Sequence, residues 1–149
     1  MGLEEYWAKR DFGRTTEPRG MVMSEDRREK PIFVVQKHHA TTLHYDLRLE
    51  REGVLVSWAV PKEPPTTKGV KRLAVQTEDH PLEYANFEGV IPEGEYGAGT
   101  VEIWDRGNFD TESWSDNKIV VELHGEKLSG RYCLIRFKGQ KKNWLFFKC

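Results

Sequence analysis

Residues 38–50 read HHATTLHYDLRLE. In a strand, successive side chains point to opposite faces. Leu43, Tyr45, Leu47 and Leu49 then form one row, and His44, Asp46, Arg48 and Glu50 the other. Neighbours within a row stand about 7 Å apart. The second row sets an imidazole, a carboxylate and a guanidinium in line. Imidazole and carboxylate suit a divalent metal, and a guanidinium beside them suits an oxyanion, which it can pair bidentately. His38 and His39 stand just upstream. Parity does not decide which of them joins the row, because residues 40–42 suit a turn. The competing reading is the solvated side of an amphipathic strand. The histidine doublet and a further His80 count towards chemistry.

His80 lies in TEDHPLEY, past a β-rich run and just before Pro81. It suits a phosphate ligand or a general acid to a leaving oxygen, against the alternative of a surface histidine. His124 ends a β-rich run beside Gly125, has no carboxylate partner close in sequence, and reads as structural. Lys138, Lys141 and Lys142 read as a solvated turn; they become a nucleic-acid backbone contact only if they lie beside the metal-binding face. Three functions fit these residues. One is a metal-dependent phosphoesterase. Another is a non-haem iron oxygenase using His44, Asp46 and His80. The third is a DNA-end-binding module without turnover. Arg48 and the additional upstream His38 fit phosphate chemistry better than the oxygenase.

The elements that must position these groups are short. After a charged stretch over residues 1–30, with the run SEDRREK at 24–30 and room for one helical turn near Glu4–Lys9, β-rich runs follow one another. They are Ile32–Lys37, Leu43–Glu50, Val54–Val60, Lys71–Thr77, Thr100–Trp104, Ile119–Leu123, Tyr132–Phe137 and Trp144–Lys148. Turn signals separate them, among them Glu52-Gly53, Pro64-Pro65, Lys68-Gly69 and Arg106-Gly107-Asn108. No stretch shows a sustained 3.6-residue period. This spacing predicts a mainly β fold, a compact antiparallel β-barrel of about eight strands, with the N-terminal arm laid across it as part of one domain over 1–149. The Gly- and Pro-rich stretch 84–107 suits a turn or bulged hairpin better than a phosphate loop, since no GxxxxGK[ST] occurs.

With 149 residues, 38% hydrophobic and 32% charged, the chain is large enough for a core and too aromatic for wholesale disorder. A net charge of −1 gives no global pull towards nucleic acid, so any polyanion needs a local patch. Cys133 and Cys149 form no CxxC pair, which argues against a thiolate zinc site or structural disulfide. No apolar run approaches the ~20 residues of a membrane span, and no signal-peptide pattern opens the chain; a cytoplasmic protein is expected.

Several motifs in order carry a resemblance. VVQKHHATTLHYDLRLE, LVSWAVPKEP and TEDHPLEYANFEGVIPEGEYGAGTVEIWDRG resemble the 3′-phosphoesterase domain of bacterial DNA ligase D and its stand-alone archaeal relatives. The likeness runs from about Tyr6 to the C-terminus. It implies a divalent-metal enzyme, Mn²⁺ favoured with Zn²⁺ or Co²⁺ as alternatives, acting on DNA primer–template 3′ ends. A phosphodiesterase step removes a terminal ribonucleoside; a phosphomonoesterase step then removes the 3′-phosphate to leave a 3′-hydroxyl. Carried onto this chain, the resemblance implies His38, His44 and Asp46 as metal ligands, Arg48 and His80 on the scissile phosphate, and Tyr84 in catalysis. KRDFGRTTEP brings Arg10, Asp11 and Glu17 in or near the site, and Lys62 and Arg72 match further functional basic positions. A separate repair ligase and polymerase are the expected partners, and a monomer the expected state. Thr41, Thr42 and Leu47 depart from the basic and aromatic residues that relatives often carry there, without touching the implied metal ligands.

Overall fold

The computed structural model describes residues 2–20 and 30–149, so all of the SEDRREK run but Lys30 lies outside the described residues. Among the described residues a short helix, α1 (Glu4–Ala8), precedes nine strands. These are β1 (Ile32–His39), β2 (Leu43–Arg51), β3 (Val54–Val60), β4 (Lys71–His80), β5 (Gly89–Ile91), β6 (Gly99–Trp114), β7 (Lys118–His124), β8 (Ser129–Arg136) and β9 (Asn143–Lys148). They pair antiparallel in the order β1-β2-β3-β4-β9-β8-β7-β6, and β6 returns to β1. The result is the expected closed eight-stranded barrel, with β5 as an extra strand on β6. Closure leaves no open sheet edge around the ring. No helix among the described residues is long and apolar enough to cross a membrane.

Alternation along the strands builds two apolar cores. Leu47, Leu49, Trp58, Tyr132, Trp144 and Phe146 belong to the larger one. The second joins Val34 of β1 and Leu55 of β3 to Leu3 and Tyr6 of the arm, and to Leu82, Tyr84 and Phe87 around a 3₁₀ turn over Leu82–Asn86. β1 therefore buries both faces: Phe33 and Val35 enter the first core and Val34 the second. Two-sided burial is why its sequence runs as an unbroken apolar block instead of alternating. Leu3 is 1% exposed, and burying such a side chain contributes about 2 kcal/mol. The arm is thus packed down by its own apolar residues.

Three local expectations change. β4 continues past Thr77 to His80, with a shift of register against β3 between Leu55 and Ser57. Leu43, expected in the core row, opens β2 and is exposed. β6 runs for 16 residues straight through Arg106-Gly107-Asn108, where a turn was expected. Here Gly107 serves close approach: a Cβ added to it would stand 2.1 Å from the His124 carbonyl oxygen. At this point β6 passes from β1 to β7, since Asn108 pairs with both Ile32 and His124. Gly107→Ala should force this seam apart and lower stability by about 2 kcal/mol, read as a drop in Tm by thermal melting. An unchanged Tm would mean the seam gives way freely.

Candidate metal centre and active site

The pairing of β1 with β2 sets His38 opposite His44. This resolves the histidine doublet. His38 is buried, whereas His39 points outward and meets Glu102 at 3.2 Å. One donor atom each from His38, His44 and Asp46 falls within a group whose members lie within 4.8 Å of one another. His44 Nε2 and His38 Nδ1 stand 3.3 and 3.6 Å from Asp46 Oδ2, and 3.2 Å from each other. The far nitrogens face backbone carbonyls: His38 Nε2 that of Gly97 at 2.7 Å, His44 Nδ1 that of Thr42 at 3.2 Å. A carbonyl only accepts, so these contacts assign the protons to the far nitrogens. Both inward lone pairs then converge on the Asp46 oxygen. Three acceptors with no donor among them repel, and a cation or a proton relieves that. The same tension appears in the acidities. Burial opposes the charged form of His44, yet the hydrogen bond and charge of Asp46 more than offset it and its pKa goes up. Burial works against ionised Asp46, but the Arg48 charge, and each imidazole once it carries a second proton and donates, hold its carboxyl well below the usual range.

Arg48 follows on the same face and is buried. Its Nε donates to Gln36 Oε1 at 2.7 Å, and Nη2 lies 3.6 Å from Asp46 Oδ2. Gln36 is itself anchored, donating through Nε2 to the carbonyls of Tyr84 and Phe87 at 2.7 and 3.1 Å. The Tyr84 ring centre lies 4.8 Å from the guanidinium carbon. Nη1 of Arg48 is buried and has no hydrogen-bond partner among the described residues. A buried charged donor left unpaired is costly, and Arg48 borders a cavity with room for an anion. That cavity, of about 300 Å³, is bounded by the metal group, Arg48, His80 and Arg10.

The arm supplies the opposite wall. Arg10 is clamped between two carboxylates, Nε 3.1 Å from Glu17 Oε2 and Nη1 3.0 Å from Glu78 Oε2. Glu17 also accepts from Thr15 Oγ1 at 3.0 Å and from the Tyr84 hydroxyl at 2.6 Å. Burial pushes the Tyr84 phenol well above its ordinary pKa. Arg10 Nη2 stands 3.4 Å from His80 Nε2, while His80 Nδ1 meets the Glu78 carbonyl at 2.9 Å and is therefore the protonated nitrogen. Burial, then the charges of Arg48 and Arg10, drive the His80 pKa well below its usual value, so the ring is neutral with Nε2 bare.

The remaining implied residues sit elsewhere. Asp11 is exposed and accepts the Gly13 amide at 3.0 Å, bracing the turn that follows Arg10. Lys62 and Arg72 line a second cleft with Pro61, Lys71 and Leu73, where Arg72 Nε donates to the Glu63 carbonyl at 2.8 Å. His80 lies outside the group of convergent donors, so the set that converges is His38, His44 and Asp46 in place of the His44, Asp46 and His80 triad of the oxygenase reading.

A model of the DNA ligase D 3′-phosphoesterase domain matches residues 36–136, a span holding the metal group, Arg48, His80 and Tyr84. The chain belongs to this family. It is 52% identical over 153 residues to the multifunctional non-homologous end joining protein LigD of Mycobacterium bovis, covering 96% of this chain and 19% of that protein. It is 50% identical over 153 residues to the LigD protein of Pseudomonas aeruginosa, covering 98% of this chain and 18% of that protein. The chain thus spans about a fifth of the length of these relatives.

In this 3′-phosphoesterase domain, sequence reasoning passed over Gln36 and Glu78. Each lies two residues before a site histidine, His38 and His80, so the alternation that grouped His44 with Asp46 carries a signal for both. Tyr96 and Gly97, which also line the cavity, come from the 84–107 stretch and carry no such signal. Arg10→Ala would strand Glu17 and Glu78 as buried carboxylates. The loss should be about 3 kcal/mol near neutral pH. A backbone hydrogen bond at Glu78, then Arg10 and Lys9, hold the Glu78 pKa down against burial, so Glu78 contributes stability above its unfolded value of 4.5 and loses it as pH falls through the lower folded value. The gap between wild type and variant should therefore shrink below about pH 4.5 in denaturant melts run across pH. A constant gap would refute the clamp.

Proposed function

We propose that the chain is a metal-dependent phosphoesterase that heals DNA 3′ ends. It removes a 3′-terminal ribonucleoside to leave a 3′-phosphate, then removes that phosphate to leave a 3′-hydroxyl for a repair polymerase or ligase. The observation that carries the reading is the unpaired, buried Nη1 of Arg48 beside three convergent metal donors. The family match and the end-joining names of the relatives point the same way.

His38, His44 and Asp46 would hold the ion; we assign Mn²⁺, with Zn²⁺ or Co²⁺ compatible with the same donors. When bound, it polarises a phosphoryl oxygen and lowers the pKa of bound water. Arg48 directs Nη1 at a non-bridging oxygen, where charge gathers as the phosphorus is attacked. His80, neutral with Nε2 bare, takes a proton first and can return it to the leaving oxygen. Arg10 fixes the His80 ring from one side and faces the phosphate from the other. Tyr84 and Glu17 act by holding Arg10 and Arg48 in place. Lys62 and Arg72 extend the positive surface beyond the site, and Asp11 shapes the turn that presents Arg10.

The deciding experiment follows a labelled primer–template bearing one 3′-terminal ribonucleotide, with and without Mn²⁺. Metal-dependent appearance of the 3′-phosphate and then the 3′-hydroxyl product is expected. His44→Ala and Asp46→Ala should abolish both products and Mn²⁺ binding by calorimetry. Arg48→Ala should keep Mn²⁺ binding and lose on the order of 10²-fold or more in kcat. Wild-type protein that binds DNA ends and Mn²⁺ but forms neither product would turn the reading to end binding without turnover.

A further inference from the structure

We infer that the turn joining β8 to β9 grips the phosphodiester backbone of the substrate DNA some nucleotides away from the reacting end. The inference rests on the DNA-end reading above. It starts from strand register. Asp46 pairs with Ala59, Ala59 with Val75, and Val75 with Asn143, the first residue of β9. Residues directly opposite each other point to the same face, so this row runs along the outer wall from the metal group to the start of β9. Three strand spacings of about 4.8 Å make it roughly 14 Å long. The turn is tied to the site wall, since the Gln76 amide donates to the Lys142 carbonyl at 2.7 Å and the next residue, Thr77, lines the active-site cavity.

The turn has the chemistry for a polyanion. Lys138, Lys141 and Lys142 are all exposed. A cavity of about 360 Å³ opens here, lined by Asn117, Arg136, Phe137, Lys138, Lys141 and their neighbours, with no carboxylate in its lining among the described residues. Arg136 lies over the Trp144 ring, its guanidinium carbon 4.7 Å from the ring centre. Its Nε is buried with no hydrogen-bond partner among the described residues. Arg136 pairs with the core residue Trp144, so it packs at the inner rim of the turn and adds positive charge behind the lysines instead of facing the outer wall itself. Between the metal group and the turn, Ala59, Val75 and Thr77 give neutral side chains along the outer wall. Phosphates along one strand of a duplex advance about 3.4 Å each, so a 14 Å reach corresponds to about four nucleotides. With a net charge of −1, the chain has no global pull on DNA, so its hold on a backbone rests on local patches such as this one.

The test compares wild type with Lys138→Ala/Lys141→Ala on two substrates: a primer–template with about ten base pairs behind its terminal ribonucleotide, and a dinucleotide ending in the same ribonucleotide. On the duplex, the variant should raise KM about tenfold with kcat unchanged, and the slope of log K against log salt should fall by about two. On the dinucleotide, too short to reach the turn, the two proteins should match. Unchanged KM and salt slope on the duplex would overturn the inference, and so would an equal rise in KM on the dinucleotide. Competition by inorganic phosphate equal in the two proteins, with the duplex KM still raised in the variant, supports a backbone grip. If wild type itself turns over neither substrate, the DNA-end reading fails, and this inference with it.

Discussion

Asp46 carries its negative charge while buried on the outer wall of a barrel. A lone carboxylate in that position would cost several kcal/mol, so its neighbours are set by its burial. Two imidazoles and the Arg48 guanidinium stand within 3.6 Å of one of its oxygens. Arg48 is then a buried cation with needs of its own, met at Nε by Gln36 and left open at Nη1. Gln36 is held by the carbonyls of Tyr84 and Phe87, which fixes where the chain runs after β4. One carboxylate thus sets the conformation of a segment some forty residues away. Arg10 repeats the arrangement from the arm side, between Glu17 and Glu78. Around the cavity the two guanidinium groups face the carboxylates of Asp46 and Glu78, and Lys9 pairs Glu78 from the far side.

These ion pairs are worth little in water and much when dry. What keeps them dry is apolar. Leu3, Tyr6, Leu82 and Phe87 pack on Val34 and Leu55 and cover the outer wall beside the charged groups. The ions orient the arm, while the apolar contacts press it down and exclude solvent. Each contribution depends on the other: without Tyr6 and Leu3 the clamp on Arg10 would be screened, and without Arg10 the arm would leave Glu78 buried with only Lys9 at 3.2 Å.

This division explains what was legible in the sequence. The barrel was legible because short alternating runs with turn residues between them have few other solutions. The β2 row was legible because three polar residues at period two cannot all face a core. The same rule applied to β1 and β4 reaches Gln36 and Glu78, which went unread because a glutamine and a second acid look like ordinary surface. Arg10 and Glu17 came only through the family resemblance, since no local rule links them to groups about 70 residues on. Gly107 misled because a glycine between Arg and Asn looks the same whether it turns the chain or admits a neighbour's carbonyl. The Asp110 partner of His124, at 2.7 Å, lies 14 residues back and becomes a neighbour only when β6 meets β7. The Gly97 carbonyl that orients His38 is likewise visible only in three dimensions.

His80 shows how these charges constrain the chemistry. Its ring is neutral because it is buried and because Arg48 and Arg10 both repel a proton from it. A phosphate seated against Arg48 and Arg10 would cancel those two charges. The burial contribution would remain, but the charge contribution would shrink or change sign, and the imidazole would become more basic as the substrate arrives. A ring that is proton-free in the empty site and gains proton affinity beside an anion would be suited to accept a proton from a hydroxyl that attacks that anion. The change needs no moving loop, because it is carried by the substrate's own charge acting on groups already fixed by Gln36, Glu17 and Glu78.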